Sequence, residues 1–203
     1  MRSDKNAILT FDAVVEFMNK DANNKNISIL DIGCGQGELL KELHDNGFEN
    51  LIGLGYEVPS LSFVRLIDGI DLSEKNWGDR FLSEQYDYVV STDVIEHLIN
   101  PYQFLIESHK LIKPDGVLIL TFPNVHNLKS ILLYMVSGRF SGFFGRNFNK
   151  DHYLYDQHIF IPNLHLLKYF LNISGYRIKN VFYINGVGKF FSQTTMLTIV
   201  TKN

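Results

Sequence analysis

Short apolar runs alternate with amphipathic helical patterns along this 203-residue chain. Apolar runs of strand length occur at 27–32, 51–54, 64–67, 86–91 and 117–122. Stretches with apolar residues at helical spacing lie before and after these runs. One such stretch contains Leu39, Leu40 and Leu43 and ends at Gly47. Regular alternation of strand and helix is typical of a parallel sheet with helices on both faces. The pattern therefore predicts an α/β fold in which the unbroken run at 117–122 is a central strand.

The last part of the chain departs from this alternation. Two strand-like runs, at 176–184 and 195–201, are separated only by a short loop that contains glycine. Strands so close in sequence pair best in antiparallel fashion, so we expect the parallel sheet to end in a hairpin. Before it, Leu166, Leu167, Phe170 and Ile173 predict the buried side of a helix over about 162–174. Asn100 and Pro101 predict the start of another helix.

Residues 1–203 are interpreted as one domain with an insertion at about 138–158. That stretch lacks clear periodicity and is long for a connection in a compact domain. Its aromatic residues favour a lid or an acceptor-site segment over a surface loop packed by its own side chains, which stays an alternative. The aromatic residues are Phe140, Phe143, Phe144, Phe148, Tyr153 and Tyr155.

Composition limits the partners and the compartment. Apolar residues make up 45% of the chain and the formal charge is -3, so a buried core is expected and a nucleic-acid partner is not. Cys34 is the single cysteine, and the first residues lack the apolar segment of a secretory signal, which predicts a cytosolic location. The longest apolar runs, such as 131–136, are too short to span a membrane.

The segment from Asp31 to Glu38 reads D-I-G-C-G-Q-G-E and lies between a predicted strand and a predicted helix. In open α/β sheets nucleotide-like ligands bind beyond the carboxyl ends of the strands, and glycines allow them to approach the backbone. A dinucleotide fingerprint would need its third glycine at position 38. Because Glu38 stands there and would repel a pyrophosphate, a nicotinamide cofactor is disfavoured.

This segment resembles the first motif of the class I S-adenosylmethionine (SAM) dependent methyltransferases. The likeness continues in Y-D-Y-V-V at 86–90, D-V-I-E-H-L at 93–98, L-I-K-P-D-G at 111–116 and F-P-N at 122–124. It covers roughly residues 27–126. The resemblance implies SAM as cofactor and a Rossmann-like sheet of seven strands in the order 3-2-1-4-5-7-6, with the last strand antiparallel and helices on both faces.

The same resemblance implies roles at the cofactor. The glycines of the loop would lie against the methionine part, Asp31 would hold its amino group, Asp71 would meet the adenine, and Ser91 and Asp93 would form the floor. The glycines are Gly33, Gly35 and Gly37. For Asp31, Ser91 and Asp93 the alternative is ordinary capping at a strand end.

One family position departs from the pattern. The second strand ends in Gly53-Leu54-Gly55, where the family has an aspartate for the ribose hydroxyls. Glu57 is the nearest carboxylate, which can accept two hydrogen bonds at once. We therefore assign Glu57 to the ribose, with a solvated loop glutamate as the alternative.

Two histidines are the candidates for chemistry on a methyl acceptor. His97 follows the fourth strand, where the family often places acceptor-facing groups, and His158 precedes the last helix in a segment similar to one of small-molecule methyltransferases. A base that removes a hydroxyl proton assists methyl transfer, and histidine has a suitable pKa. A structural role is the alternative for both, and His126 is a weaker candidate.

No metal is assigned, although one alternative includes it. Asp93, Glu96 and His97 have the spacing of one side of a helical turn, and His152 or His158 could add a ligand. This resembles the E-x-x-E-H site of small-RNA 3′-terminal 2′-O-methyltransferases. The sequence thus favours methyl transfer to a hydroxyl of a small molecule such as a sugar or another metabolite. The alternatives are metal-assisted methylation of RNA and a noncatalytic SAM-binding protein, and the oligomeric state is not predicted.

Overall fold

Seven strands form one mixed sheet in a computed structural model of the chain, which describes residues 5–56, 58, 60–81, 83–143 and 157–201. The strands are β1 (Ile29–Ile32), β2 (Leu51–Leu54), β3 (Arg65–Ile67), β4 (Tyr86–Thr92), β5 (Ile112–Pro123), β6 (Tyr176–Ile184) and β7 (Thr194–Thr201). Their order in the sheet is β3-β2-β1-β4-β5-β7-β6. The predicted order is confirmed.

Strand direction places the ligand-binding edge. Strands β1 to β5 pair in parallel, whereas β7 lies antiparallel between β5 and β6. The predicted hairpin of β6 and β7 is therefore present, and β7 is its inner strand. Because β1, β2, β3, β4 and β5 run the same way, the loops that follow them meet at one edge of the sheet.

Helices cover both faces of the sheet, as predicted. The helices are α1 (Lys5–Asp21), α2 (Glu38–Asp45), α3 (Pro101–His109), α4 (Leu128–Ser137), α5 (Leu164–Ile173) and α6 (Gly188–Phe191). One face is covered by α1 and α2, through residues such as Met18 and Leu43. The other face is covered by α3 and α5, through Phe104 and Leu167, together with a 3₁₀ turn at Trp77–Phe81. In the described part of the chain, no helix is both long and apolar enough to cross a membrane.

Asparagine caps start three of the helices. The side chain of Asn100 accepts a hydrogen bond of 3.0 Å from the Gln103 amide, and Pro101 is the first residue of α3, as predicted. The Asn127 side chain accepts one of 2.8 Å from the Ser130 amide at the start of α4. Asn163 does the same for α5. These side chains satisfy amides that a helix leaves without internal partners.

The prediction of the buried side of α5 was wrong in part. Helix α5 buries Leu167 and Leu171, whereas Leu166 and Ile173, expected on the buried side, are exposed. Apolar residues occur on every side of this helix, so their spacing does not single out one face. Within β5, the register of its pairing with β4 shifts between Tyr86 and Tyr88, and Asp115 has φ of 65°.

The insertion is described only at its two ends. Gly138 ends α4 in the left-handed conformation, and Phe143 packs into the protein with 2% of its surface exposed. The other predicted aromatic residues of the insertion from Phe144 onward lie outside the described residues. Its role as a lid or acceptor-site segment stays a prediction.

Leu118→Ala is expected to lower the free energy of unfolding by about 2–5 kcal/mol, because Leu118 lies on β5 with none of its surface exposed. The matched variant Leu133→Ala changes the exposed surface of α4 and should cost about 0.5 kcal/mol or less. Urea denaturation of the two variants measures both values. Equal losses would contradict the placement of β5 at the centre of the sheet.

Candidate active site

Two adjoining cavities lie at the edge where the parallel strands end. The first, called here the glycine-loop cavity, has a volume of about 400 Å³ and is lined by residues that include Gly33, Asp71 and His97. The second, called the α4 cleft, has a volume of about 920 Å³ and is lined by residues that include Glu96, Asn124 and His158. Asp93 lines both. A ligand in one cavity therefore lies next to a ligand in the other.

The glycine loop is folded tightly against the loop after β4. The Gly33 amide donates a hydrogen bond of 2.7 Å to the Leu54 carbonyl oxygen, and Gly33 has φ of +77°. A Cβ atom at Gly33 would come within 2.5 Å of a methyl carbon of Val94, so a larger residue does not fit. Gly35, with φ of +52°, has open space where a Cβ would be, and Gly37 caps α2. Of the three glycines, Gly33 lines the glycine-loop cavity, whereas Gly35 is exposed outside its lining and Gly37 is buried.

Asp31 lies at the end of β1, two residues before Gly33, and is 1% exposed. None of the described groups forms a hydrogen bond with its Oδ1 atom. Burial raises the pKa of the Asp31 carboxyl to about 7, and the Glu38 carboxylate adds to the shift. A buried carboxylate without a full set of partners is costly unless a cation or donor reaches it. Asp31 is therefore suited to a cationic ligand group.

The remaining predicted cofactor residues are placed differently from one another. Asp71 lines the glycine-loop cavity, and its side chain accepts a hydrogen bond of 2.8 Å from the Ser73 amide. Ser91 is fully buried on β4 and lines neither cavity. Glu57 lies outside the described residues. The cofactor roles of these three residues stay predictions.

Several residues that line the glycine-loop cavity were missed by the sequence analysis. They are Tyr56, Ile70, Leu72, Leu98 and Ile99. All of them follow the carboxyl ends of β2, β3 or β4, which is the available signal in the sequence. Exposed apolar residues at these turns, such as Ile99 with 67% of its surface exposed, mark a ligand site better than they mark a core.

Asp93 is held in place at the junction of the two cavities. Its backbone has φ of 52°, which is unfavourable for a residue other than glycine. The Asp93 amide donates to the Thr121 hydroxyl at 3.0 Å, and that hydroxyl oxygen lies 3.0 Å from Asp93 Oδ1 in a second hydrogen bond. Thr121 on β5 therefore fixes both the backbone and the carboxylate of Asp93.

His97 and His158, predicted from distant parts of the sequence, are brought together. The amides of Ile159 and Phe160 both donate to the Glu96 carbonyl oxygen at 2.9 Å. These bonds tie the chain after the insertion to the 3₁₀ turn at Ile95–His97. The His97 and His158 rings are 4.7 Å apart between centroids and nearly perpendicular, at 85°. The two imidazoles thus form one cluster with Glu96.

Burial controls the charge state of this cluster. Glu96 has none of its surface exposed, and neither of its carboxylate oxygens has a hydrogen-bond partner among the described residues. Burial raises the pKa of Glu96 well above its ordinary value, and the negative charge of Asp93 adds to the shift. Burial, together with His97, lowers the pKa of His158 to about 4. Both shifts favour the neutral forms of these groups, and at neutral pH we expect His158 to carry no charge.

Glu96, His97 and His158 can also serve as metal ligands. One ligand atom from each of the three side chains lies within 4.8 Å of the other two. The sequence alternative instead grouped Asp93, Glu96 and His97 along a helical turn, with His152 or His158. Asp93 lies before the 3₁₀ turn and its carboxylate is bonded to Thr121, while His152 lies outside the described residues.

The α4 cleft has one polar end and one apolar end. Asp93, Glu96 and His158 line the polar end, whereas Leu128, Leu132, Phe190 and Phe191 supply exposed apolar surface along α4 and α6. The Asn124 side chain donates to the Lys189 and Ser192 carbonyl oxygens at 2.7 and 2.9 Å. Helix α6 was missed because its four residues are too short for a helical pattern.

His126, the weaker sequence candidate, lines neither of these cavities. Its backbone amide donates a hydrogen bond of 3.1 Å to the Asn124 side chain. Burial and the positive charge of Lys189 lower the pKa of His126. The structure therefore groups His97 and His158, and leaves His126 apart from them.

The sequence is similar to those of known methyltransferases. The family model described as "Methyltransferase domain" matches residues 5–202. A ubiquinone biosynthesis O-methyltransferase of Erwinia tasmaniensis is 31% identical over 120 residues, which cover 55% of this chain and 48% of that protein. A probable SAM-dependent methyltransferase of Mycolicibacterium smegmatis is 32% identical over 98 residues, covering 47% and 38%. The chain spans about half the length, or less, of the curated relatives it matches.

Solved structures show the same fold. The crystal structure of magnesium protoporphyrin IX methyltransferase from Synechocystis PCC 6803 with bound SAH has a TM-score of 0.65 and 20% identity, covering 95% of this chain and 82% of that one. A SAM-dependent methyltransferase of Clostridium acetobutylicum also has a TM-score of 0.65, at 13% identity, with coverage of 100% and 94%. At these identities the likeness concerns the fold.

Asp31→Asn is expected to change how stability depends on pH. The folded pKa of about 7 lies above the ordinary value of 3.8, so the folded protein holds a proton that the unfolded chain releases between these values. The free energy of unfolding should therefore fall as pH rises through this window, by up to about 1.4 kcal/mol per pH unit, and level off above it. The variant should lack this fall.

Urea denaturation of both proteins at about pH 5 and about pH 8 measures the difference, because each unit of pKa shift corresponds to about 1.4 kcal/mol. As pH rises, the free energy of unfolding of the variant should increase relative to that of the parent. At the higher pH the variant should be the more stable of the two. A difference that does not change with pH would show that Asp31 titrates normally in the folded protein.

Proposed function

The chain belongs to the methyltransferase-domain family, and we propose that it transfers the methyl group of SAM to a hydroxyl oxygen of a small molecule. The observation that carries this proposal is the meeting of two cavities at Asp93, with His97 lining one and His158 lining the other. Methyl transfer needs a donor and an acceptor held side by side with water excluded. The cytosolic location expected from the sequence stays a prediction.

SAM is assigned to the glycine-loop cavity. Its methionine part would lie along the loop of Gly33, Gly35 and Gly37, of which Gly33 lines the cavity, with its cationic amino group toward the buried Asp31 carboxylate. Asp71 would meet the adenine at the other side of the cavity, which it lines. Asp93 and Ser91 would support the ligand from β4, and Glu57 would take the ribose hydroxyls. These roles follow the family resemblance, and the lack of a described hydrogen-bond partner for Asp31 Oδ1 supports its contact with the amino group.

The acceptor is assigned to the α4 cleft. In the transfer, the acceptor oxygen attacks the methyl carbon, the bond from that carbon to sulfur breaks, and the sulfur keeps the electron pair. The hydroxyl proton passes to a base. A histidine with a pKa near 4 is a weak base at neutral pH, so His97 is the base in this proposal and His158 positions the acceptor hydroxyl.

The lining of the α4 cleft supports a choice among acceptors. Phe190 and Phe191 expose 55% and 68% of their surfaces along it, and Leu132 exposes 49%. Burying such side chains against a ligand is favourable only if the ligand has an apolar part. We therefore propose a hydroxyl acceptor that carries an aromatic or aliphatic portion, and a sugar only when it is linked to such a group.

Two competing functions remain testable. RNA methylation is favoured by the cluster of Glu96, His97 and His158, and disfavoured by the formal charge of -3, which provides little attraction for phosphates. A noncatalytic SAM-binding protein would be favoured by an acceptor pocket filled with side chains. The volume of about 920 Å³ in the α4 cleft supports an enzyme instead.

Calorimetric titration tests the cofactor. We expect SAM and its demethylated product SAH to bind the parent protein in one-to-one ratio. Asp31→Asn should weaken SAM binding by about 10- to 100-fold, because it removes a hydrogen bond to a charged group. The control Asp45→Asn changes a carboxylate at the exposed end of α2 and should leave binding unchanged. Absence of SAM binding to the parent protein would rule out the proposed function.

Mass spectrometry of a metabolite extract incubated with methyl-labelled SAM tests the acceptor. We expect label in small molecules that carry a hydroxyl group. His97→Asn should lower the rate by about 10²- to 10⁴-fold, whereas the control His165→Asn, on the exposed side of α5, should not. Label found only in RNA, and only with Mn²⁺ present, would favour the competing function.

A further inference from the structure

We propose that Glu96, His97 and His158 bind one divalent transition-metal ion at the polar end of the α4 cleft. The sequence analysis assigned no metal to the chain. The binding site stands on the geometry of these three side chains, whereas its catalytic consequence rests on the proposed function.

The first observation is the convergence of ligands from two separate segments. The hydrogen bonds from Ile159 and Phe160 to the Glu96 carbonyl oxygen place His158 beside the turn that carries Glu96 and His97. One ligand atom from each side chain lies within 4.8 Å of the others. Around an ion with bonds of about 2.1 Å, tetrahedral ligand atoms are about 3.4 Å apart. Binding of an ion would therefore draw the three ligand atoms closer together than their present limit of 4.8 Å.

The second observation is the isolation of the Glu96 carboxyl group. It is completely buried, and no described donor reaches either of its oxygens. A buried polar group without partners costs free energy, and such groups in native proteins generally have a reason. A dication beside Glu96 would satisfy the carboxylate and offset its repulsion with Asp93. No cation of the described residues forms an ion pair with Glu96.

The ligand types indicate the ion. Two imidazole nitrogens and one carboxylate oxygen suit Zn²⁺, Co²⁺ or Fe²⁺ better than Mg²⁺, which prefers oxygen ligands and octahedral geometry. Three protein ligands leave a coordination position open, which is typical of catalytic sites and not of structural ones. Because Glu96 and His158 both line the α4 cleft, the open position is accessible from it.

The bound ion would change the chemistry of the acceptor. A hydroxyl oxygen in the open position ionises more easily, and its proton passes to solvent water. The oxygen then attacks the methyl carbon of SAM, and the bond from methyl to sulfur breaks with its electrons left on sulfur. In this form His97 and His158 are ligands and neither acts as a base.

Metal binding is measured directly on tag-free protein stripped with a chelator. Equilibrium dialysis against Zn²⁺, Co²⁺, Mn²⁺ and Mg²⁺ separately, followed by elemental analysis, should give one equivalent of Zn²⁺ or Co²⁺. Mg²⁺ should not bind at a concentration of about 1 mM, so its dissociation constant should be larger than about 1 mM. The Co²⁺ protein should show visible absorption that Glu96→Gln and His158→Asn each remove.

Loss of a residue that only contacts a metal ligand typically weakens metal binding about 10- to 100-fold. Each of these variants loses a ligand itself and should weaken Zn²⁺ binding by more than that. The matched controls Glu49→Gln and His165→Asn are exposed and should bind Zn²⁺ as the parent does. Circular dichroism and urea denaturation check that Glu96→Gln and His158→Asn remain folded, whether or not SAH binds. No Zn²⁺ or Co²⁺ binding, or equal binding by all the variants, would overturn the proposal.

The two proposals can fail separately. If the parent binds SAM and transfers methyl groups after chelation, the proposed function holds and the metal proposal loses its catalytic consequence. If Zn²⁺ binds through the three residues and SAM does not bind, the metal site holds and the proposed function fails. A chelated protein that binds SAM but transfers methyl groups only when Zn²⁺ or Co²⁺ is restored supports both.

Discussion

The Glu96 carbonyl oxygen accepts two backbone hydrogen bonds, and the arrangement of the site depends on them. The donors, Ile159 and Phe160, belong to the segment that enters α5, whereas Glu96 belongs to the turn after β4. These bonds hold the segment that carries His158 against the turn that carries His97, and so bring the two imidazoles together. Since backbone amides make the link, it requires no particular side chain at 159 or 160. The backbone link therefore leaves the side chains of His97 and His158 available for contact with a ligand.

The sheet brings the rest of the site to the same place. Parallel pairing of β1 with β2 and β4 brings the loops after these strands to one edge, so Gly33, Gly55 and Asp93, far apart in sequence, line a single cavity. Two buried carboxyl groups, Asp31 and Glu96, lie in this region, and each has its pKa raised by burial. Such groups weaken a fold unless something binds them, so their presence at this edge is a mark of function.

The sequence predicts features that depend on local chemistry. The glycine loop at 31–38, the Asn100-Pro101 helix start and the terminal hairpin all follow from short segments, and the structure contains each of them. The strand order came from the family resemblance and from the hairpin. Features set by contacts between distant segments were beyond reach: the buried side of α5, the placement of Ser91 away from both cavities and the complete burial of Glu96. No local pattern encodes which neighbour will cover a side chain.

Helix α4, which lines the α4 cleft, shares little of its surface with the core. Of its residues only Ser130 is buried, and Leu133, Met135 and Val136 point their apolar surface outward. The helix is retained by the Asn127 cap and by the hydrogen bond of 2.9 Å from the Ser141 amide to the Ser130 hydroxyl. Substitutions on the outer side of α4 can therefore change the lining of the cleft while the packing of the sheet stays intact. The sheet thus provides a fixed scaffold, and α4 is the side of the cleft whose residues can change most readily.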